Sequence, residues 1–449
     1  DRILSALNKA QDYENIEFWA RKLKTAPSFA APDQQQRLTK LIVESIQKSG
    51  DHYADGGKYE KAATFYLRVT KEPSVDPKTA AQAMMNAGVM YEKAKRPEDA
   101  ADIYLELSEK YAQQSPDLAE KAAFTAGVVY EQAIFYDRAA KAYEIVVQKF
   151  GRGQKAPDAL YNAGLLRQAL GQNDKAIAHY KEYTKQYSSR KDAPDVAFQI
   201  GVVYEDAGQE GPALKAYEDY ARQYASTNKR IIEAHVRSGR LQLKLGQVKK
   251  AKEQFTTAEA LYKRANGAVK ADGKPWAAEA RYNQGDLIFK DYEAVSIDVK
   301  PKQLGAALTK KTKLLAEAEK VYFSIADFND LKWATAALYR DGQIYEVFAD
   351  ALANAAAKCP QGISGDECQA YQDAINEKVV QIQDKAVEAF TVGYTKAIQM
   401  QVYNDYTAKI REALGRLASQ KFPPERESRT KERTGDRPPS PEIVTEVAR

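Results

Sequence analysis

The stretch Asn86–Tyr111, NAGVMYEKAKRPEDAADIYLELSEKY, sets a frame that the rest of the chain repeats. Gly88 is followed by Tyr91, then by Ala100 twelve places after the glycine and Tyr104 four places later. Gly127 leads in the same way to Tyr130, Ala139 and Tyr143, and Gly201 to Tyr204, Ala213 and Tyr217. Gly50 leads to Tyr53, Ala62 and Tyr66, and Gly239 to Ala251 and Phe255. Gly164 leads to Ala176 and Tyr180, but Arg167 stands where the first aromatic belongs. The glycines follow one another at 38, 39, 37, 37 and 38 residues, which is an internal repeat. Glycine inside a helix costs about 1 kcal/mol relative to alanine. Six of them at one phase therefore predict a packing role, with the glycine of one helix set against the alanine of the next. Each unit is a helix, a short turn and a second helix. Neighbouring units must stack, because one pair cannot bury its apolar face alone.

Small residues at the places of Gly88 and Ala100, with aromatics at those of Tyr91 and Tyr104, resemble the signature of the tetratricopeptide repeat (TPR). The resemblance implies an all-α fold, an α-solenoid winding as a right-handed superhelix of TPR helix pairs. Residues 1–26 read as a degenerate N-terminal repeat and 35–265 as six regular units. Residues 275–396 read as two irregular units opened by Gly285 and Gly342, with insertions at 291–312 and 354–385. Residues 397–421 read as a capping helix, and 422–449 as a disordered tail or linker, given five prolines among many charges. Asn266–Lys274 reads as a loop, because glycines and lysines interrupt the pattern.

Composition narrows the function. The chain has 449 residues, 44% apolar and 29% charged, as suits a folded protein. Its 67 basic and 62 acidic residues leave a net charge of +5, too mild and too mixed to predict nucleic-acid binding. No apolar run reaches the roughly 18 residues of a membrane span. The start, Asp1-Arg2-Ile3-Leu4, lacks a basic region before an apolar core, so the chain reads as a mature form or a piece of a longer one.

Little in the sequence suggests chemistry. His52, His179 and His235 are the only histidines, and each reads as structural. No nucleophile elbow, zinc motif or dinucleotide fingerprint is present. Gly267–Lys274, GAVKADGK, has five residues between its glycines where a phosphate loop has four. No catalytic residue, metal site, cofactor or small-molecule substrate is predicted. Cys359 and Cys368 flank a short loop with glycines and a proline, which predicts a disulfide and an oxidising compartment.

What remains is a surface. In TPR arrays the first helix of each pair lines the concave face. Carried over through the glycine, that face takes Met85, Phe124, Tyr161 and Phe198, then Leu165 and Val202, with Glu92, Glu131 and Glu205 beside them. Tyr282 and Tyr339 continue it in the irregular units. This predicts a groove for apolar segments with basic flanks. The lysine and asparagine clamp of some TPR proteins is absent, since Phe124, Val128, Tyr161 and Leu165 occupy its positions. The repeat style is similar to that of TPR proteins of the Gram-negative envelope, and most resembles those of the myxobacterial gliding-motility machinery. That resemblance implies a non-enzymatic, periplasmic scaffold whose partners are other proteins of an envelope complex. The alternatives are a TPR lipoprotein of outer-membrane assembly or cell-wall coordination, the TPR region of a larger enzyme, and a cytoplasmic location.

Overall fold

A computed structural model describes residues 2–73, 75–224, 228–359 and 364–423. All regular structure among them is helical, with no strand. Two compact units divide at Ala251 and Lys252.

The first unit begins with α1 (Arg2–Lys9) and α2 (Tyr13–Lys24), then α3 (Pro32–Asp55) and α4 (Tyr59–Val69). It continues with α5 (Pro77–Lys93), α6 (Pro97–Lys110), α7 (Pro116–Gln132) and α8 (Tyr136–Phe150). Next come α9 (Ala156–Ala169), α10 (Asn173–Gln186), α11 (Ala193–Asp206), α12 (Glu210–Tyr224) and α13 (Ile231–Lys244). The boundary falls inside α14 (Val248–Arg264). Prolines open α3, α5, α6 and α7, where their missing N–H has no helical partner to lose. From α2 to α13 each helix packs on the next in sequence. One apolar core runs unbroken from Ala80 to Leu166, with no central nucleus. These are the contacts of an α-solenoid.

Each helix pair turns through the same device. A residue with positive φ ends the first helix, and the next N–H reaches back five residues to a carbonyl. Examples are Lys58 N–H to Tyr53 O at 2.8 Å and Gln172 N–H to Arg167 O at 2.8 Å. Glycine holds the left-handed position in four pairs: Gly57, Gly171, Gly208 and Gly246. Ile134 holds it in another at φ 66° and is 70% exposed. A β-branched residue in that conformation carries strain.

The repeat glycines serve a different partner from the one expected. Gly127, Gly164 and Gly201 lie under the rings of Tyr143, Tyr180 and Tyr217. An added Cβ would stand 2.6, 2.6 and 2.5 Å from the nearest ring carbon. The glycine makes room for the aromatic sixteen residues on, rather than for the backbone at the alanine. Those alanines, Ala139, Ala176 and Ala213, are fully buried nearby in sequence.

The second unit holds α15 (Gly267–Glu293), α16 (Pro301–Phe323), a 3-10 turn at Ser324–Phe328, α17 (Leu331–Ala356), α18 (Gly365–Gln399) and α19 (Asp405–Leu417). Here packing is not confined to chain neighbours, since α17 touches α15, α16, α18 and α19. Gly285 meets Tyr322 and Gly342 meets Phe390, so the contact recurs at separations of 37 and 48 residues in place of 16.

Three expected boundaries move. Asn266–Lys274 is not a loop: α15 starts at Gly267 and runs through Pro275, burying Gly273, Ala277 and Ala278. Burial there outweighs the weak helix propensity of glycine and proline, and GAVKADGK is no phosphate cradle. The segments 291–312 and 354–385 mostly lengthen helices. Lys311, 1% exposed, secures the first of them by donating to Tyr292 O at 2.9 Å and Val295 O at 3.3 Å, at the C-terminal end of α15. Ala397–Gln399 completes α18, and α19 begins only after Asn404, whose side chain accepts from the N–H groups of Tyr406 and Thr407 at 3.0 Å. The predicted tail at 422–449 lies outside the described residues from 424 onward.

Candidate functional site

The polar groups of the first unit form a ladder. Each buried tyrosine above a repeat glycine donates its hydroxyl to the first helix of its own pair. Tyr66 donates to Asp51 at 2.5 Å, Tyr143 to Glu131 at 2.9 Å, Tyr180 to Gln168 at 3.1 Å and Tyr217 to Glu205 at 2.9 Å. Tyr104 donates to Glu92. Burial first, and then these carboxylates, push the hydroxyls of Tyr104 and Tyr143 above their ordinary value. The neutral phenol is thereby fixed as donor.

A second rung joins neighbouring pairs. Gln199 donates to Gln168 at 3.0 Å, and Arg237 donates to Glu205 at 2.7 Å. Both donors stand two places before a repeat glycine. Burial raises Glu205 but is outweighed by Arg237, leaving its carboxyl below the usual range. This position is polar in every regular unit, as Lys48, Asn86, Thr125, Asn162, Gln199 and Arg237, a signal that the spacing of glycines and aromatics does not carry.

The ladder changes the reading of the predicted face. Glu92, Glu131 and Glu205 do flank it, but each accepts from a tyrosine of its own pair, and Glu205 is also paired with Arg237. All three are engaged as acceptors, and Glu205 already has a counter-ion. Met85 and Phe198 are buried, at 8% and 0% exposure, and are not surface anchors. Phe198 is covered because Arg230 lies 3.7 Å over its ring and Tyr217 and Tyr220 flank it. Phe124 and Val202 are half-buried. Tyr161 and Leu165 remain open, at 38% and 44%. They stand four residues apart on α9 and so share one side of it. Tyr282 and Tyr339 belong to the second unit. Tyr282 is buried against Tyr322, Trp333 and Tyr406, and Tyr339 packs on Phe390 and Tyr406.

The irregular Arg167 has its own arrangement. It is 1% exposed where Tyr130 and Tyr204 stand in other pairs. Its Nε and Nη2 donate to the two oxygens of Glu144 at 2.7 Å each, and Nη1 donates to Asp137 at 2.7 Å and Gln172 at 2.9 Å. His179 Nε2 lies 3.0 Å from Glu144. Burial alone would raise Glu144, but His179 and Arg167 together hold it down at about 2. A depressed carboxyl stabilises the fold above its unfolded value of about 4.3 and loses that contribution as pH falls toward 2. Thermal melts of wild type should therefore fall more steeply between pH 4.5 and 2.5 than those of Glu144→Gln. Parallel curves would remove Glu144 as the titrating group.

These bonds tie α8 to α9 and α10. Among the described residues no group of three histidines, cysteines or acids is placed to hold a metal ion. No helix among them is long and apolar enough to cross a membrane.

A family model described as a tetratricopeptide repeat matches residues 48–119, 124–190 and 161–227. Over these residues the repeats are tetratricopeptide repeats. No curated protein sequence matches the chain. Similar solved structures include MamA from Desulfovibrio magneticus RS-1, 16% identical over 42% of this chain and 97% of that one, with a TM-score of 0.28. YrrB, described as a TPR protein with an unusual peptide-binding site, is 19% identical over 44% and 91%, with a TM-score of 0.29. BtubC from P. vanneervenii is 18% identical over 48% and 90%, with a TM-score of 0.28.

Proposed function

We propose that this chain is a non-enzymatic scaffold that holds segments of other proteins against the first helices of its TPR array. TPR proteins in general mediate protein–protein interactions. The observation that carries the assignment here is the open pair Tyr161 and Leu165. Two large apolar side chains on one side of α9 leave a surface that a partner covers with profit. Half-buried Phe124 and Val202 extend it on α7 and α11. The occupant is an apolar segment. Basic flanks help less than the sequence suggests, because Glu205 already has its counter-ion.

Likeness of repeat style to the gliding-motility TPR proteins supports a place in an envelope complex of that kind. The cysteine pair supports a periplasmic location. Cys359 and Cys368 have Cα atoms 5.5 Å apart, within the range a disulfide spans. Protein from an oxidising compartment should show no free thiol on titration without reductant, and reduction should cost about 3 kcal/mol or less, locally. Two reactive thiols would remove this support.

The interaction is tested by capture from myxobacterial envelope extracts with the full chain as bait. Tyr161→Ala and Leu165→Ala should each weaken the captured complex by about 1 kcal/mol or more, with melting unchanged. A partner whose affinity ignores both substitutions binds elsewhere.

A further inference from the structure

The second unit contains a cleft of about 230 Å³ between the end of α16, the start of α17 and the end of α18. This is smaller than the roughly 300–1,000 Å³ of small-molecule sites and suits one long side chain. Its rim is apolar and open. Phe323 is 59% exposed, Met400 53%, and Leu331 and Val392 43% each. Single exposed apolar residues are ordinary, but four around one cleft form a patch, and such patches mark interaction sites.

Asp341 lines the same cleft. It is 8% exposed, and its Oδ1 has no hydrogen-bond partner. A buried carboxylate oxygen without a donor is costly and uncommon. The residue also breaks the repeat pattern. The place before the repeat glycine is Ser49, Ala87, Ala126, Ala163, Ile200 and Ser238 in the regular units. Burial, and then the nearby Glu319, push Asp341 up to about 6, with Lys396 opposing. The group is still mostly ionised at neutral pH. Lys396 lines the cleft too, yet Oδ1 remains without a donor.

We propose that this cleft is a second docking site, receiving a lysine or arginine side chain of a partner protein segment whose apolar neighbours cover Phe323, Val392 and Met400. The cation supplies the donor that Asp341 Oδ1 lacks, and the carboxylate of Asp341 selects its sign. The apolar rim removes water from the contact and strengthens it. The site lies in the second unit and does not rest on the Tyr161 face.

The test uses the full chain and three fluorescein-labelled, amidated pentapeptides: Ala-Leu-Arg-Leu-Ala, and the same with glutamate or citrulline at the centre. Fluorescence anisotropy should show the arginine peptide binding at least about tenfold tighter than either of the others. Asp341→Asn and Val392→Arg should each erase that preference. Val392 is on the rim, so its variant decides the matter if Asp341→Asn fails to fold. No binding of the arginine peptide, equal binding of the three, or a preference that survives Asp341→Asn or Val392→Arg would overturn the proposal.

Discussion

Arg167→Ala should destabilise the first unit by about 3–5 kcal/mol, the cost of removing one partner from a buried ion pair. The guanidinium is 1% exposed and its Nε, Nη1 and Nη2 all donate, two of them to Glu144 in parallel. Without it Glu144, only 20% exposed, keeps its charge with His179 alone. Asp137 suffers less, because it is 45% exposed and also meets Lys141 at 2.7 Å. Arg167→Lys should recover little, since an ammonium cannot satisfy two carboxylate oxygens and Gln172 from one point. Urea unfolding of the full chain, followed by far-ultraviolet circular dichroism, measures the change. A loss below about 1 kcal/mol would place this network among ordinary surface pairs.

Gly164→Leu should be the other severe change. A Cβ at this position already lies 2.6 Å from Cε1 of Tyr180, so even alanine forces a shift. Tyr180 is fully buried and tethered to Gln168, and its ring has nowhere to turn. Overpacking of this kind costs about 1–3 kcal/mol, occasionally more, and leucine belongs at the upper end. Gly164→Ala should fall between leucine and wild type. Gly164→Ala with Tyr180→Leu should recover part of the alanine loss, because the smaller side chain vacates the contact. Should the leucine variant melt with its parent, the ring is not where the packing argument needs it.

The repeat and its register were legible because glycine, alanine and tyrosine recur at fixed phase through six units. The partner of the glycine was not. Spacing shows that Gly164, Ala176 and Tyr180 belong together, but not which of the two later residues occupies the space. Arg167 was visible as a break in the aromatic position. Its meaning depends on Asp137 and Glu144, 30 and 23 residues back, and no local pattern links them. Phe198 had the right phase for an open face. It is covered by Arg230, which the next pair supplies at its own start. Phase predicts where a side chain begins, not what is laid over it. The helix at Gly267–Glu293 was hidden for a related reason, since its glycines and proline argue locally for a joint while burial decides otherwise.

The tyrosine ladder bears on how such a chain lengthens or shortens. Tyr66, Tyr104, Tyr143, Tyr180 and Tyr217 each find an acceptor inside their own helix pair. A pair copied or lost at constant phase therefore takes both ends of that bond with it and orphans no hydroxyl of the ladder. The bonds between pairs do not share this freedom. Arg167 draws both of its carboxylates from the preceding pair, so parting the pairs of Gly127 and Gly164 would leave an unmatched cation on one fragment and an unmatched Glu144 on the other. Parting the pairs of Gly201 and Gly239 would likewise separate Arg237 from Glu205, so such joins cost more to break than the ladder does.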